Sequence, residues 1–132
     1  MRVLLHIALV AFGSAVGGLA RWGVGLVAAR WLGIGFPWGT LVINVSGSLF
    51  LGWFMTFLGD RLLQGVGWFD ADALRLMVAV GFTGAYTTFS TFEYESYNLL
   101  RDGRGLGGSL YLAVSVFLGL MAVRLGVFLA RW

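Results

Sequence analysis

Four long apolar stretches follow one another along the chain, and shorter segments that hold most of the charged residues separate them. A membrane-spanning helix needs roughly 20 predominantly apolar residues. The pattern therefore predicts an all-α integral membrane protein with four transmembrane helices in a single domain, residues 1–132. The predicted spans cover about 4–29, 38–58, 73–100 and 109–129.

The third span departs from uniform apolarity in its middle, where residues 81–95 read GFTGAYTTFSTFEYE. Glycine and β-branched threonine are poor helix formers, so the sequence predicts a break in this helix between about Gly84 and Thr88. Backbone groups freed at membrane depth must be buried in protein or line a wet cavity. The break is therefore a candidate ion or substrate site, and the alternative is a helix that is kinked only for packing.

Spans 2 and 4 each carry a stripe of polar or small residues at four-residue steps, which places each stripe on one helix face. The amide of Asn44 would cost roughly 2–7 kcal/mol in lipid without a partner, so we expect it to face protein or a wet passage. A hydrogen bond that only holds two helices together is the alternative. The stripes are Thr40, Asn44, Ser48 and Gly52 in span 2, and Tyr111, Ser115, Gly119 and Val123 in span 4.

Two features stand out in the first span. Gly13 and Gly17 form a GxxxG pair, which lets another backbone approach closely. Arg21 lies well inside the span, where an arginine costs roughly 2.5–3.5 kcal/mol on insertion scales. Such an arginine usually faces an interior or aqueous path, and a side chain that snorkels to the interface is the alternative. The apolar N-terminus lacks a clear cleavage site, so we interpret it as this span and not as a signal peptide.

Composition supports a membrane protein. Of the 132 residues, 59% are hydrophobic and 11% are charged, whereas a soluble domain carries roughly 25% charged residues. The formal net charge is +3, but all nine basic residues are arginines scattered among apolar spans, so we expect no nucleic-acid partner. The absence of cysteine excludes a disulfide framework and a thiolate metal site.

The sequence does not indicate an enzyme. It has no zinc-ligand spacing, no phosphate-binding loop after a strand and no nucleophile with a histidine base. Glu93 and Glu95 lie near the later end of the third span. Paired carboxylates can perform acid–base chemistry, but nothing else in the chain indicates a reaction. We therefore expect these two residues to line a wet vestibule or to pair with arginines.

Four spans place the N-terminus, the aqueous loop at 59–72 and the C-terminus on one side of the membrane. The count of arginines is four on that side and three on the other, which is a weak orienting signal under the positive-inside rule. A chain with so little bias could insert both ways and form an antiparallel pair. The arginines counted are Arg2, Arg61, Arg75 and Arg131 on the first side, and Arg30, Arg101 and Arg104 on the second.

Three motifs occur in order along the chain: GGLAR ending at Arg21, PWGTLVINVSG around Asn44, and GFTGAYTTFSTF at 81–92. With its size and four spans, the sequence resembles the small bacterial fluoride channels, the Fluc or CrcB family, over essentially its whole length. It departs from that family at two positions. Ala85 follows Gly84 where the family often has two adjacent glycines, and Gly119 stands at a position where the family has a hydroxyl.

The resemblance implies a multi-pass protein of the cell inner membrane that exports fluoride passively and so lowers its toxicity. It implies a dual-topology homodimer in lipid, with two fluoride pores and a central structural sodium ion. The implied pore residues are Asn44, Phe89, Phe92, Ser90, Thr91, Tyr111 and Ser115. The implied vestibule residues are Arg21, Thr40 and Glu95, and the backbone carbonyls of Gly84 and Thr87 would hold the sodium.

The physical chemistry of fluoride agrees with these residues. A selective pore must replace the ion's tightly held water with donors and still release the ion. Asparagine and hydroxyl groups are donors, and the edge of a phenylalanine ring carries a positive rim. Phe89 and Phe92, three residues apart, project from one helical face, with ordinary core packing as the alternative.

The carbonyls at the break would suit a cation, because the C-terminal end of a half-helix carries partial negative charge. No acidic side chain lies near enough in sequence to favour a divalent ion, so a hard monovalent cation such as sodium fits better. Water or neighbouring hydroxyls could satisfy these carbonyls instead.

Two other functions remain open. A small proton-coupled multidrug exporter also has four spans and antiparallel dimers, but it needs a membrane-embedded acid in span 1, which this chain lacks. A non-transporting assembly subunit would not need the polar stripes and the broken third span together.

Overall fold

The computed structural model describes residues 2–62 and 71–132, and every regular element in these two ranges is helical. Residues 63–70, including Trp68 and Asp70 of the predicted aqueous loop, lie outside the described residues. The helices are α1 (Arg2–Leu32), α2 (Trp38–Phe57), α3 (Ala71–Leu74), α4 (Gly84–Tyr86), α5 (Phe89–Arg101) and α6 (Gly105–Arg131). Two π-helical segments, Leu58–Leu62 and Arg75–Thr83, continue α2 and connect α3 to α4.

Three described helices are long and apolar enough to cross a membrane: Arg2–Leu32, Trp38–Asp60 and Gly105–Arg131. Large apolar side chains lie exposed along α1 and α6, such as Phe12 and Phe117. Most of the α1 and α6 surface therefore suits lipid or another apolar partner better than water. The predicted third span is divided here between residues 71–86 and α5.

The predicted break in the third span is observed, and it lies at Thr87 and Thr88. Both residues are extended, with φ −80° and ψ 161° at Thr87 and φ −151° and ψ 117° at Thr88. Gly84 itself remains helical. The Thr88 hydroxyl accepts a hydrogen bond from the Thr91 amide at 3.3 Å. This is an N-cap, which starts α5 afresh after the break.

Helix α1 packs against residues 71–86 through glycine. The predicted GxxxG pair is the contact surface: a side chain on Gly13 would overlap the Met77 carbonyl, and one on Gly17 would overlap the Phe82 carbonyl. On the opposite side, a side chain on Gly81 would come within 2.8 Å of the Val10 carbonyl. The close backbone approach predicted for this motif is therefore made within one chain.

Helix α2 packs against α6, and the two stripes predicted for these helices face protein except at Val123, whose side chain is exposed. At one end of the contact, Gly52 lies against the backbone of Val123, and Gly126 lies against the backbone of Leu49. The absence of side chains at both glycines lets the helix backbones approach closely. The polar members of the stripes, nearer the break, line the site described below.

Two contacts between chain segments agree with the predicted sidedness. The Arg131 side chain pairs with Asp60 at 3.3 Å, which brings the C-terminal end of α6 to the end of α2. Arg104, before α6, donates to the Gly35 carbonyl at 2.8 Å, which joins the first and third connections. The two pairs lie at opposite ends of α6.

Candidate functional site

Asn44, on the inward stripe of α2, holds the break in place through its side-chain amide. Its Nδ2 donates to the Thr88 carbonyl at 3.0 Å, and its Oδ1 accepts from the Thr88 amide at 2.8 Å. A primary amide has two N–H donors, and the second has no partner in the described part of the chain. Asn44 therefore makes the interhelical hydrogen bond that sequence reasoning left as an alternative, and it keeps one donor for a ligand.

An open cavity of about 290 Å³ lies where α2, the break and α6 meet. We call it the hydroxyl cavity, because amide and hydroxyl side chains supply its polar lining and none of its lining residues is charged. Gly119 and both phenylalanines of the TTFSTF block complete much of its wall. The polar side chains are those of Asn44, Ser48, Thr83, Thr87, Thr88 and Ser115.

The two phenylalanines line this cavity in different ways. Phe92 is only 6% exposed and packs against the Tyr111 ring, with 5.2 Å between ring centroids. Phe89 is 71% exposed, and its ring centroid lies 6.1 Å from that of Phe92. Phe92 is thus fixed by its own chain, whereas Phe89 lies at the rim and is open to contact from outside.

Ser115 brings an unsatisfied donor to the hydroxyl cavity. Its Oγ is buried and has no hydrogen-bond partner within residues 2–62 and 71–132. Leaving a buried hydroxyl unpaired costs about 1–3 kcal/mol, so such groups usually serve a ligand, a water or a strained site. The orientation of Ser115 therefore suits a bound ligand.

A second open cavity, of about 450 Å³, lies between α1, α2 and α5 beside the first connection. We call it the vestibule cavity. Its polar lining includes Arg21 and Thr91. Arg21 makes no hydrogen bond or ion pair with the described residues. Thr88 lines both cavities, so the two adjoin at the break.

Glu95 connects three helices at the wall of the vestibule cavity. Its two carboxylate oxygens accept hydrogen bonds from the Thr40 hydroxyl at 2.9 Å and from the Tyr111 hydroxyl at 3.0 Å. The contacts join α2, α5 and α6. Thr40 and Tyr111 are buried, and Tyr111 is only 1% exposed, so this carboxylate is held in one position.

The predicted site residues are therefore distributed over three places. Asn44, Phe89, Phe92 and Ser115 line the hydroxyl cavity. Thr91, Arg21, Thr40 and Glu95 line the vestibule cavity. Tyr111 and Ser90 line neither: Tyr111 is buried against Glu95, and Ser90 is exposed on the surface of the chain.

The carbonyls predicted to hold sodium can be tested against the geometry of the break. In a continuing helix the Thr88 amide would donate to the Gly84 carbonyl, but here it donates to Asn44. Gly84 is exposed, and a side chain on it would make only an ordinary contact with the Ala79 carbonyl, at 3.9 Å. Thr87 is extended. No group of three acidic, histidine or cysteine residues in the described ranges could hold a metal. The Gly84 carbonyl, which lacks the Thr88 amide as a partner, is the kind of ligand that a hard cation prefers, and the sodium site itself stays a prediction.

Sequence reasoning did not assign Ser48 or Thr83 to the site, and it placed Thr88 only at the end of the predicted break. Ser48 could have been found, because it belongs to the same four-residue stripe as Asn44. Thr83 gave no such signal, and the direction of the Thr88 side chain depends on how far the extended residues turn the chain. The hydrogen bond between Ser46 and Tyr86, 2.8 Å long, was also not anticipated.

A bundle of apolar helices with an uncharged, donor-lined cavity at a helix break defines a small multi-pass membrane protein with a polar site between its helices. Comparison with known proteins identifies the family. The chain belongs to the family described as CrcB-like protein, Camphor Resistance (CrcB), whose pattern matches residues 8–127. The family resemblance predicted from the three motifs is confirmed.

Several relatives match nearly the whole chain, and each bears the name fluoride-specific ion channel FluC. The one from Chloroflexus aurantiacus is 42% identical over 127 residues, which cover 96% of both chains. The one from Hyphomonas neptunium is 44% identical over 123 residues and 93% of both chains. The one from Rhizobium johnstonii is 39% identical over 129 residues, 97% of this chain and 98% of the relative.

Proposed function

We propose that this protein is a fluoride-selective channel, and not an enzyme, that lets fluoride leave the cell passively across the inner membrane. The full-length similarity to proteins named fluoride-specific ion channels supports the substrate. The hydroxyl cavity at the helix break is the observation in this chain that carries the proposal. Removal of fluoride from the cell would lower its toxicity.

The donors in the hydroxyl cavity suit a small anion that must be released again. The free N–H of Asn44 and the unpaired hydroxyl of Ser115 can replace part of the ion's hydration shell. None of the residues that line this cavity is charged. A full positive charge there would hold fluoride too tightly for conduction, since a conducting site must bind weakly enough to release its ion.

The phenylalanine rings contribute the positive rims of their edges. Phe92 is held by Tyr111 on one side and lines the cavity on the other. Phe89 lines the same cavity from its exposed rim. An anion that passes between them meets two weakly attractive ring edges and the hydroxyl groups in succession.

The vestibule cavity would be the entrance. Arg21 has no acidic partner in the described ranges and can attract an anion from solution. The anion would then pass Thr91, which lines the vestibule cavity, and Thr88, which lines both cavities. Thr40 and Tyr111 occupy the two oxygens of Glu95. This arrangement orients the carboxylate and limits its repulsion of the incoming anion.

The functional unit would be an antiparallel homodimer with four transmembrane helices per chain and two pores. Phe89 and Gly84 are exposed in a single chain, although Phe89 lines the hydroxyl cavity and Gly84 lies in the short helix just before the break. A second chain would cover both and would bring Ser90, on the same exposed surface, into the path. The near balance of arginines on the two sides supports dual topology.

A structural sodium ion would lie on the two-fold axis of that dimer. The carbonyls of Gly84 and Thr87 from each chain would provide four oxygens, which are ligands that a hard cation prefers. When bound, the ion would offset the partial negative charge of two helix ends that approach each other. The Gly84 and Thr87 carbonyls of the two chains, bound to the same ion, would then keep the two breaks at a fixed separation.

The test is fluoride efflux from liposomes that contain the purified protein, with a potassium ionophore to balance charge and with neither ATP nor a proton gradient. A passive channel releases fluoride under these conditions. A proton-coupled exporter would need an imposed proton gradient, and an assembly subunit would release no fluoride under either condition. Both of these results would contradict the proposal.

A further inference from the structure

Four serines in the helices that surround the site fall into two pairs, one with and one without a hydrogen bond from its hydroxyl. Ser46 and Ser96 each donate to the carbonyl four residues earlier, at 2.7 Å in both cases. This is the usual solution for a serine inside a helix. Ser48 and Ser115 do not use it, and neither makes a hydrogen bond within the described ranges. These two hydroxyls are therefore free to bind something else.

The two unpartnered serines share one location. Both line the hydroxyl cavity, Ser48 from α2 and Ser115 from α6. Gly119 lies one turn after Ser115 and also lines the cavity. A Cβ built on Gly119 would have the Ser48 Oγ as its nearest neighbour, at 3.8 Å. The Ser48 hydroxyl thus faces the space that Gly119 leaves open.

We propose that Ser48 is a further ligand for the permeating anion, donating its hydroxyl to the ion in the space opposite Gly119. This inference rests on the proposed channel function and deepens it. Asn44 lies one helical turn before Ser48 on the same face of α2, which separates their Cα atoms by about 6 Å along the axis. Fluoride can therefore pass from the Asn44 amide to the hydroxyls of Ser48 and Ser115 without losing all its donors at once.

Gly119 has a defined part in this arrangement. Because it carries no side chain, α6 offers room for the ion, and the donor opposite comes from α2. A serine on Gly119 would fit without overlap, since its Cβ would make only an ordinary contact with Ser48. Its hydroxyl would reach the same space from the other wall. The two positions should therefore be exchangeable as sources of one donor.

The experiment measures fluoride efflux from liposomes for the parent protein and then for Ser48→Ala. We expect the substitution to slow efflux about tenfold, which is the size expected for the loss of one hydrogen bond to an anion. Ser109→Ala removes the same atom from an exposed serine outside both cavities, and its efflux should match the parent. The efflux of a variant is compared with that of the parent only if both proteins elute at the same volume in size-exclusion chromatography.

Two double variants separate the hydroxyl from the space it occupies. Ser48→Ala with Gly119→Ser should recover most of the parent efflux, because a hydroxyl returns to the same space. Ser48→Ala with Gly119→Ala should stay slow, because it adds a methyl group and no donor. If Ser48→Ala does not elute with the parent, Ser48→Cys is used in its place, because a thiol has nearly the same shape as a hydroxyl and is a weaker donor. Ser48→Cys should also slow efflux.

The outcomes are distinct. A parent that does not release fluoride contradicts the channel function itself. A parent that releases fluoride, with Ser48→Ala or Ser48→Cys equally fast, overturns the role of Ser48 and leaves the channel function standing. Equal recovery by Gly119→Ser and Gly119→Ala would also overturn it, because space filling alone would then explain the effect.

Discussion

Two cavities of nearly equal volume lie beside the two main helix contacts, and they differ in what lines them. The apolar cavity, about 280 Å³, adjoins the contact of α1 with residues 71–86. The hydroxyl cavity, about 290 Å³, adjoins the contact of α2 with α6. Side chains of the first are apolar throughout, whereas six of the second carry amide or hydroxyl groups. The lining of the apolar cavity is Phe12, Gly13, Val16, Phe50, Met77, Val78 and Phe82.

Both helix contacts use glycine for close approach, so small residues alone do not make a site. Gly13 and Gly17 of α1 admit backbone carbonyls of residues 71–86. In the same way, Gly52 of α2 admits the backbone of α6, and Gly126 of α6 admits the backbone of α2. A dry apolar cavity does not accept a strongly hydrated anion, because nothing replaces the water that the ion must lose. The difference indicates that glycine spacing positions the helices, while donors on the adjoining turns decide which contact becomes a pore.

The largest expected effect is on the contact of α1. Gly17→Val places a side chain onto the Phe82 carbonyl, and overpacking of this kind costs about 1–3 kcal/mol or more. We expect loss of monodisperse protein in size-exclusion chromatography. Gly18→Val is the matched control, because open space surrounds a Cβ there. Equal yields of the two variants would contradict the close contact.

The next largest effect is expected at the hydroxyl cavity. Asn44→Ala leaves both the amide and the carbonyl of the partly buried Thr88 without their partner, at a cost of up to about 1–3 kcal/mol for each unpaired group. We expect fluoride efflux from liposomes to fall at least about a hundredfold, because the break loosens and a donor is lost. Efflux at the parent rate would show that this clamp has no part in conduction.

These two substitutions illustrate what the sequence could predict. The sequence predicted the four-residue stripes, the GxxxG pair and the threonine-rich break, because helical periodicity and backbone propensity are local properties. The partners across the break were not. The extended Thr87 and Thr88 reset the direction of α5, so periodicity could not show that Thr91 would line the vestibule cavity while Ser90 would lie outside it.

The π-helical segment Arg75–Thr83 was also beyond sequence reasoning, because its amino acids would suit an α-helix equally well. Tyr111 shows a further limit. It belongs to the same stripe as Ser115, yet its hydroxyl reaches Glu95 instead of the hydroxyl cavity. A long side chain carries its polar atom away from the helix face that the backbone defines.

A moderate effect is expected from Phe89→Ile and Phe92→Ile, which remove the ring edges from the hydroxyl cavity. Each should slow fluoride efflux about tenfold or more, if one edge contributes as much as a hydrogen bond. Only Phe92→Ile should also lower the thermal stability of the protein in detergent, because Phe92 is 6% exposed and Phe89 is 71% exposed. Two fully active single variants would assign both rings to packing.

The smallest effect is expected in the apolar cavity. Val16→Ala removes two methyl groups from a partly exposed position, where we expect a stability change below about 1 kcal/mol. Fluoride efflux should stay within about twofold of the parent, since this cavity offers no donor to an anion. A large loss of efflux would show that conduction depends on both cavities.

The proposed function requires that the donors beside the break conduct fluoride in preference to other halides. The most direct measurement loads liposomes with equal concentrations of fluoride and chloride and follows the efflux of both ions from the parent protein with two ion-selective electrodes. We predict rapid release of fluoride while chloride stays inside. Equal release of the two ions, or release of neither, would contradict a fluoride-selective channel.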